Sequence, residues 1–249
     1  MGRVRLKCEG DVYHIVSRGN GRQIIFEDDE DRRFFIRTLH DYWDEAHLEL
    51  YAWCLMENHF HLLVHGNTED ISIGMKKLCS VYARRFNKRT GRVGHLFQDR
   101  YDSEPIDSEA YLLSVIRYIH KNPEKGGIAP MSTYGWSSYQ EYLGRPTICK
   151  TDFALDVFGG REQFLLFHEE RRMEERAGCV RIIEGGSSVE DDRRKQAEEI
   201  LGDIRLADLK TLPRSNRNKH LRLLKETGLS IREIERYTGI GRNIISRAQ

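Results

Sequence analysis

The run HFHLLVH at residues 59–65 constrains the chain more than any other stretch. Side chains at i and i+2 of a strand point the same way, so an alternation of period two belongs on a sheet and not on a helix. His59 and His61 therefore share one face, while Phe60, Leu62 and Val64 supply an apolar anchor on the other. Neutral imidazole is a common metal ligand, and two of them on one face of a rigid strand form a candidate divalent-metal pair. The competing reading is a pair of hydrogen-bonded strand histidines with no ligand, since the chain carries 10 histidines in all.

A second feature tips the balance. In YLLSVIRYIHKNPEKGG, Tyr118 is followed four residues later by Asn122, and positions i and i+4 lie one above the other on a helix face. The two are expected to face the histidine pair together. A phenol with a pKa near ~10 is a weak nucleophile at neutral pH, so it attacks a phosphate only where its surroundings polarise the phosphate or deprotonate the phenol. Mg²⁺ or Mn²⁺ bound by two imidazoles and one amide oxygen keeps positions open for phosphate oxygens and water. His59, His61, Asn122 and Tyr118 thus suffice in kind for metal-assisted phosphodiester cleavage. Tyr111 and Tyr101 are rival tyrosines, for which, as for any tyrosine on an amphipathic helix, packing is the alternative. His120 and Arg117 point elsewhere on the helix and receive no catalytic role.

The surrounding pattern predicts a strand over Asp11–Ser17 and a loop, RGNGRQ, in which Arg18 and Asn20 are candidate DNA contacts or simply turn residues. A helix opens with Asp28, Asp29 and Glu30, acids that complement its dipole. Strands over Leu48–Leu55 and Asn58–His65 form a hairpin, a helix runs from about Ile71 to Asn87, and a fourth strand covers Phe97–Ser103. The helix bearing Tyr118 begins near Ser108, and Pro123 is expected to stop it, leaving Asn122 as its last or capping residue. The order β-α-β-β-α-β is that of a ferredoxin-like antiparallel sheet, with helices on one face and the other face able to host a site. The fold class is α+β, followed by an all-α domain.

Phe153–Phe158 has the pattern of a packing segment, Arg161–Ala177 reads as a charged helix, and EGGSS at residues 184–188 reads as a linker. Residues 1–145, 146–187 and 188–249 are the expected catalytic domain, connector and C-terminal domain. In the last of these, Ser230 and Glu233 have capping-box spacing, with Leu229 and Ile234 placed as a hydrophobic staple. Gly239 should break that helix, and a second begins at Arg242. Helix, glycine turn and helix, with Arg232, Arg242, Asn243 and Arg247 as candidate contacts, resembles a helix-turn-helix reader of duplex DNA. A solvated basic helix pair is the alternative.

The net charge of +1 excludes an overall basic field, so nucleic-acid binding must come from local patches, and the basic end is the C-terminal one. The 5 cysteines are scattered, with no Cys-x-x-Cys spacing, which argues against a disulfide framework and a zinc ribbon. No signal sequence or membrane span is expected, and the reading is a cytoplasmic protein, nucleoid-associated when bound to DNA.

The segments YHIVSRGNGRQIIF, ENHFHLLV, GHLFQDRYDS, YLLSVIRYIHKNPEKGGIAP and YGWSSYQEYLG follow one another from about residue 10 to residue 144. In this order they resemble the tyrosine transposases of the IS200-like class, especially the branch associated with repeated extragenic palindromes. The resemblance implies a ferredoxin-like domain that cuts single-stranded DNA beside imperfect hairpins. His59, His61 and Asn122 would hold the metal, and Tyr118 would be the single nucleophile, forming a 5′-phosphotyrosine and freeing a 3′ hydroxyl. Many relatives carry proline before the Asn-His-hydrophobic-His run where this chain has Glu57, read here as a turn residue. The segment from Ser188 onward is loosely similar to the DNA-binding domain of the bacterial replication initiator.

Single-stranded hairpin DNA is thus the expected partner, with duplex DNA bound through the C-terminal domain and no membrane, in a monomer or homodimer. The rival functions are a replication or conjugation initiator of the same histidine-pair class, and a regulatory DNA-binding protein that forms no covalent adduct.

Overall fold

The computed structural model describes residues 11–145, 147–169, 189–202 and 204–248. Four strands, β1 (Val12–Arg18), β2 (Glu49–Leu55), β3 (His59–His65) and β4 (Asp102–Pro105), form one sheet in the order β2-β3-β1-β4. Every neighbouring pair is antiparallel. With α1 (Asp29–Glu45) between β1 and β2, and α2 (Thr68–Thr90) between β3 and β4, this is the ferredoxin-like connection expected from the sequence. The register pairs Arg18 with His59 and Val16 with His61, so the end of β1 lies beside the histidine pair.

Alternation along β3 divides two cores. Phe60, Leu62 and Val64 join Ile15 of β1 in a cluster completed by Phe35 and Leu39 of α1 and by Met75, Leu78 and Tyr82 of α2. The opposite face, the one expected to host a site, carries Val12, Ala52, Cys54 and Leu63. Helix α3 (Glu109–Lys125) lies on it, burying Leu112, Val115, Ile116 and Ile119. The reason is elementary: an apolar helix stripe must be covered, and Val12, Ala52, Cys54 and Leu63 give this face an apolar patch to cover it. The helix bearing the tyrosine is therefore itself the lid over the histidine side of the sheet.

The same core continues into α4 (Tyr139–Tyr142), α5 (Thr151–Phe158) and α6 (Arg161–Glu169) through Tyr142, Ala154, Phe158 and Phe164. The charged helix expected over Arg161–Ala177 is observed as far as Glu169, and its remainder, like the expected linker, lies outside the described residues. Two element boundaries are corrected. The fourth strand begins at Asp102 and not Phe97, because Phe97 makes only an isolated bridge to Gly19 and the chain bends before pairing with β1. Pro123 sits inside α3 and does not end it. A proline removes one donor, and here, in the final turn, the backbone goes on to a Gly126 cap whose N–H reaches the Asn122 carbonyl at 2.9 Å.

Helices α7 (Val189–Leu201), α8 (Arg214–Glu226), α9 (Ile231–Thr238) and α10 (Arg242–Arg247), with a 3₁₀ turn at Leu206–Thr211, surround a separate cluster that includes Leu209, Leu221, Leu224, Ile234, Tyr237 and Ile245. The capping box at Ser230 and Glu233 is present in both directions. Gly239, at φ 68°, ends α9 in the left-handed conformation that glycine tolerates. This helical unit rests on the loop after β1. The Ile24 N–H reaches the Arg236 carbonyl at 3.4 Å, and Lys210 pairs with Glu27 at 2.5 Å. The same loop is tied by Gly19 N–H to the Asn58 carbonyl at 2.9 Å and by Asn20 N–H to the Leu96 carbonyl at 2.8 Å. No helix among the described residues is long and apolar enough to cross a membrane.

Candidate active site

The site is assembled where the start of β3, the middle of β1 and the C-terminal half of α3 meet. A tight hairpin turn delivers β3: the Met56 N–H bonds the His59 carbonyl at 2.9 Å. Asn58, at the turn, places its Oδ1 2.7 Å from His59 Nδ1 and donates its Nδ2 to the Arg22 carbonyl at 3.3 Å. Glu57 lies on this turn, as expected, and its carbonyl accepts from Ile25 and Phe26. The rings of His59 and His61 sit 5.0 Å apart and almost perpendicular, at 85°. One strand face thus holds both, as the alternation requires.

Tyr118 meets the pair from above. Its ring centroid is 5.7 Å from that of His61, edge-on at 80°, and the side chain is 7% exposed. Asn122, one turn on and also 7% exposed, donates Nδ2 to the Tyr118 carbonyl at 3.4 Å and faces His61. Lys125 brings its ammonium 4.6 Å from the centre of the Tyr118 ring. The four residues singled out in the sequence, His59, His61, Tyr118 and Asn122, are brought together. The rivals are not equivalent: Tyr101 packs with the cluster on the α1–α2 side of the sheet, and Tyr111 packs, half-buried, against the α3 core.

The sequence reading missed His14. It points to the same side of β1 as Val12 and Val16, is fully buried, and stacks on His61 at 5.4 Å and 20°. Its Nε2 lies 3.1 Å from His61 Nδ1. The available signal was the period of two in VYHIV; what the pattern does not encode is which strand β1 pairs with.

Burial drives the His61 imidazole well below its ordinary pKa; the charges of His59, His14 and Arg18 push the same way, and the Asn122 side chain opposes. Burial likewise lowers His14 to about 4. At neutral pH both rings are uncharged, so ring nitrogens carry lone pairs. His61 Nε2 is buried and has no hydrogen-bond partner among the described residues, an arrangement that costs roughly 1–3 kcal/mol unless something else satisfies it. A divalent ion would satisfy it, and the donor chemistry of two imidazoles and an amide fits such an ion. Among the described residues no three His, Cys, Asp or Glu side chains gather to hold an ion by themselves.

The remaining candidates are dispersed. Arg18 is half-buried opposite His59, and Asn20 is exposed in the loop after β1. Arg232, Arg242, Asn243 and Arg247 are exposed on α9 and α10, with Arg242 Nε 2.5 Å from Glu235. His120, given no catalytic role, is fully buried: its Nδ1 meets His168 Nε2 at 3.0 Å and its Nε2 meets Ser138 Oγ at 2.9 Å.

Residues 9–122 match the family model Transposase IS200 like. That stretch runs from the start of β1 to Asn122 and so contains every residue of the cluster just described except Lys125. No curated protein matches the chain. Among solved structures, a REP-associated tyrosine transposase bound to a REP hairpin is similar at 18% identity and TM-score 0.46, covering 58% of this chain and 85% of that one. A candidate transposase from Deinococcus radiodurans R1 is similar at 18% identity and TM-score 0.35, covering 60% of this chain and all of that one.

Proposed function

We propose that this protein is a tyrosine transposase or strand-transfer endonuclease that cleaves and rejoins single-stranded DNA beside hairpins. The observation that carries the reading is the packing of Tyr118 edge-on to His61 at 5.7 Å, with Asn122 one helical turn away. The family match over residues 9–122 supports the same class of activity.

In the proposed reaction the Tyr118 hydroxyl attacks a backbone phosphorus. The bond from its oxygen to phosphorus forms as the bond from phosphorus to the 3′ oxygen breaks. The phenol loses its proton, the departing 3′ oxygen gains one, and the products are a 5′-phosphotyrosine and a free 3′ hydroxyl. Attack by a 3′ hydroxyl on the phosphotyrosine reverses the step, so no nucleotide energy source is consumed. When bound, Mg²⁺ or Mn²⁺ held by His59, His61 and Asn122 would polarise the phosphate. Lys125 adds positive charge beside the phenol, where a phosphate has to approach. The packing of α3 on the sheet holds Tyr118 against the histidine face, an arrangement that supports attack in a single geometry.

The C-terminal unit is proposed to read duplex DNA through Arg232, Arg242, Asn243 and Arg247, with Arg18 and Asn20 touching the single strand near the cut.

The test is direct. A labelled single-stranded hairpin with flanking sequence, incubated with the protein and Mn²⁺, should yield a protein-DNA species that survives SDS. Tyr118→Phe should abolish that species and keep hairpin binding. An adduct that persists in the variant, or forms equally in chelator, would refute the assignment.

A further inference from the structure

The two buried rings of His14 and His61 share one hydrogen bond, 3.1 Å between His14 Nε2 and His61 Nδ1. Each ring then has one nitrogen left over. These are His14 Nδ1 and His61 Nε2, and both are buried without a hydrogen-bond partner among the described residues. A neutral imidazole carries one N–H and one lone pair, so the shared bond has two possible proton arrangements. If His14 donates, His61 Nε2 keeps its hydrogen and has no lone pair to offer. If His61 donates from Nδ1, its Nε2 becomes a bare lone pair on the side of Asn122.

We propose that His14 is a positioning residue that accepts from His61 Nδ1, fixing the His61 tautomer so that Nε2 is presented to a divalent cation. The proposal rests on the reading of His59, His61 and Asn122 as a metal site, and adds to it the residue that prepares one ligand. Metal-binding histidines ordinarily donate their second nitrogen to a carboxylate or carbonyl. Here the acceptor is another imidazole, held by β1 in a stack at 20° to the ligand ring. The stack also sets ring orientation: His14 meets the Tyr118 ring edge-on at 6.1 Å, so α3 presses on the pair from the other side. Glutamine at position 14 offers an acceptor oxygen at similar reach, whereas leucine offers volume and no acceptor.

The experiment uses the full chain with ¹⁵N-labelled histidine, metal-free at neutral pH, and reads tautomers from long-range ¹H–¹⁵N correlations. Mn²⁺ binding is measured in parallel by electron paramagnetic resonance. The wild type and His14→Gln should show His61 as the Nδ1–H form and bind Mn²⁺ within about threefold of each other. His14→Leu should lose that preference and bind Mn²⁺ about 10-fold or more weakly, the scale of outer partners at metal sites. An Nε2–H form in the wild type overturns the proposal even if His14→Leu fails to fold. So does equal Mn²⁺ affinity in wild type and His14→Leu, a result that leaves the metal site itself standing. If the wild type binds no Mn²⁺ yet His14→Leu shifts the tautomer, the metal reading fails, and with it presentation to a cation; only the hydrogen bond survives.

Discussion

Two pairs of stacked or tilted histidines lie buried on the same side of the sheet, and they differ in how completely they are satisfied. In the pair His120–His168, His120 bonds His168 and Ser138, and His168 Nδ1 bonds the Phe164 carbonyl at 2.9 Å. No ring nitrogen is left over. In the pair His14–His61 one nitrogen on each ring is left over among the described residues. Buried polar groups are nearly always paired, and a specific exception calls for an explanation in function. The first pair ties α3 to α6 and, through Ser138, to β2, where the Trp53 N–H bonds Ser138 Oγ at 2.9 Å. The second points an unsatisfied nitrogen into the cluster that holds Tyr118. Same residue type, same depth, opposite use: one pair fastens the helix, the other faces what the helix delivers.

The contrast is open to attack by mutation. The largest effect is expected at the unsatisfied pair. His61→Ala should lower adduct formation by more than about 100-fold, since even the outer partners of metal ligands are worth 10–100-fold, while its urea midpoint falls less than that of His120→Ala, because an unsatisfied nitrogen leaves with the ring. A variant that cleaves normally, or that unfolds, would erase the difference between the two pairs. Next comes His120→Ala, which removes a satisfied ring and strands Ser138 and His168. Its expected cost is about 2–4 kcal/mol of folding stability, from a cavity plus lost hydrogen bonds, measured by urea unfolding.

The smallest effect at neutral pH is at His168, whose contribution changes only in acid. Burial holds His168 at about 3, with the charges of Arg117 and Lys121 adding to the shift and the Phe164 carbonyl opposing it. The unfolded ring takes its proton near pH 6.5, the folded ring only near 3. The stability this group contributes is therefore complete above about pH 6.5 and is lost as pH falls toward 3, by at most ~1.4 kcal/mol per pH unit. His168→Gln should flatten that fall in a series of urea titrations, and an unchanged slope would show that the ring is not held neutral in the fold.

What the sequence disclosed, and what it hid, follows from where information sits. The alternation HFHLLVH, the i to i+4 step from Tyr118 to Asn122 and the capping box at Ser230 are local, and each is found in the structure at its expected place. Strand β4 was misplaced because DSEP lies mostly exposed at the sheet edge and has no apolar alternation, whereas Phe97 nearby does carry aromatic bulk. His14 escaped notice because its meaning depends on β1 lying beside β3, a pairing between residues 47 apart in the chain. The link from His120 to His168 spans 48 residues and is equally invisible to any local pattern. That α3 would meet the histidine face followed from the step from Tyr118 to Asn122, whereas sheet topology alone says nothing about where the apolar stripe of that helix is buried.

The loop after β1 is held by carbonyls of Asn58, Leu96 and Arg236, which enter the chain at very different moments of its synthesis. A nascent polypeptide that has emerged only through α6 already holds Tyr118 and both strand histidines, yet lacks the last of these fastenings. The loop can close on all three carbonyls only once α9 has been made and folded, so the last bond at the approach to the histidines depends on a segment far along the chain.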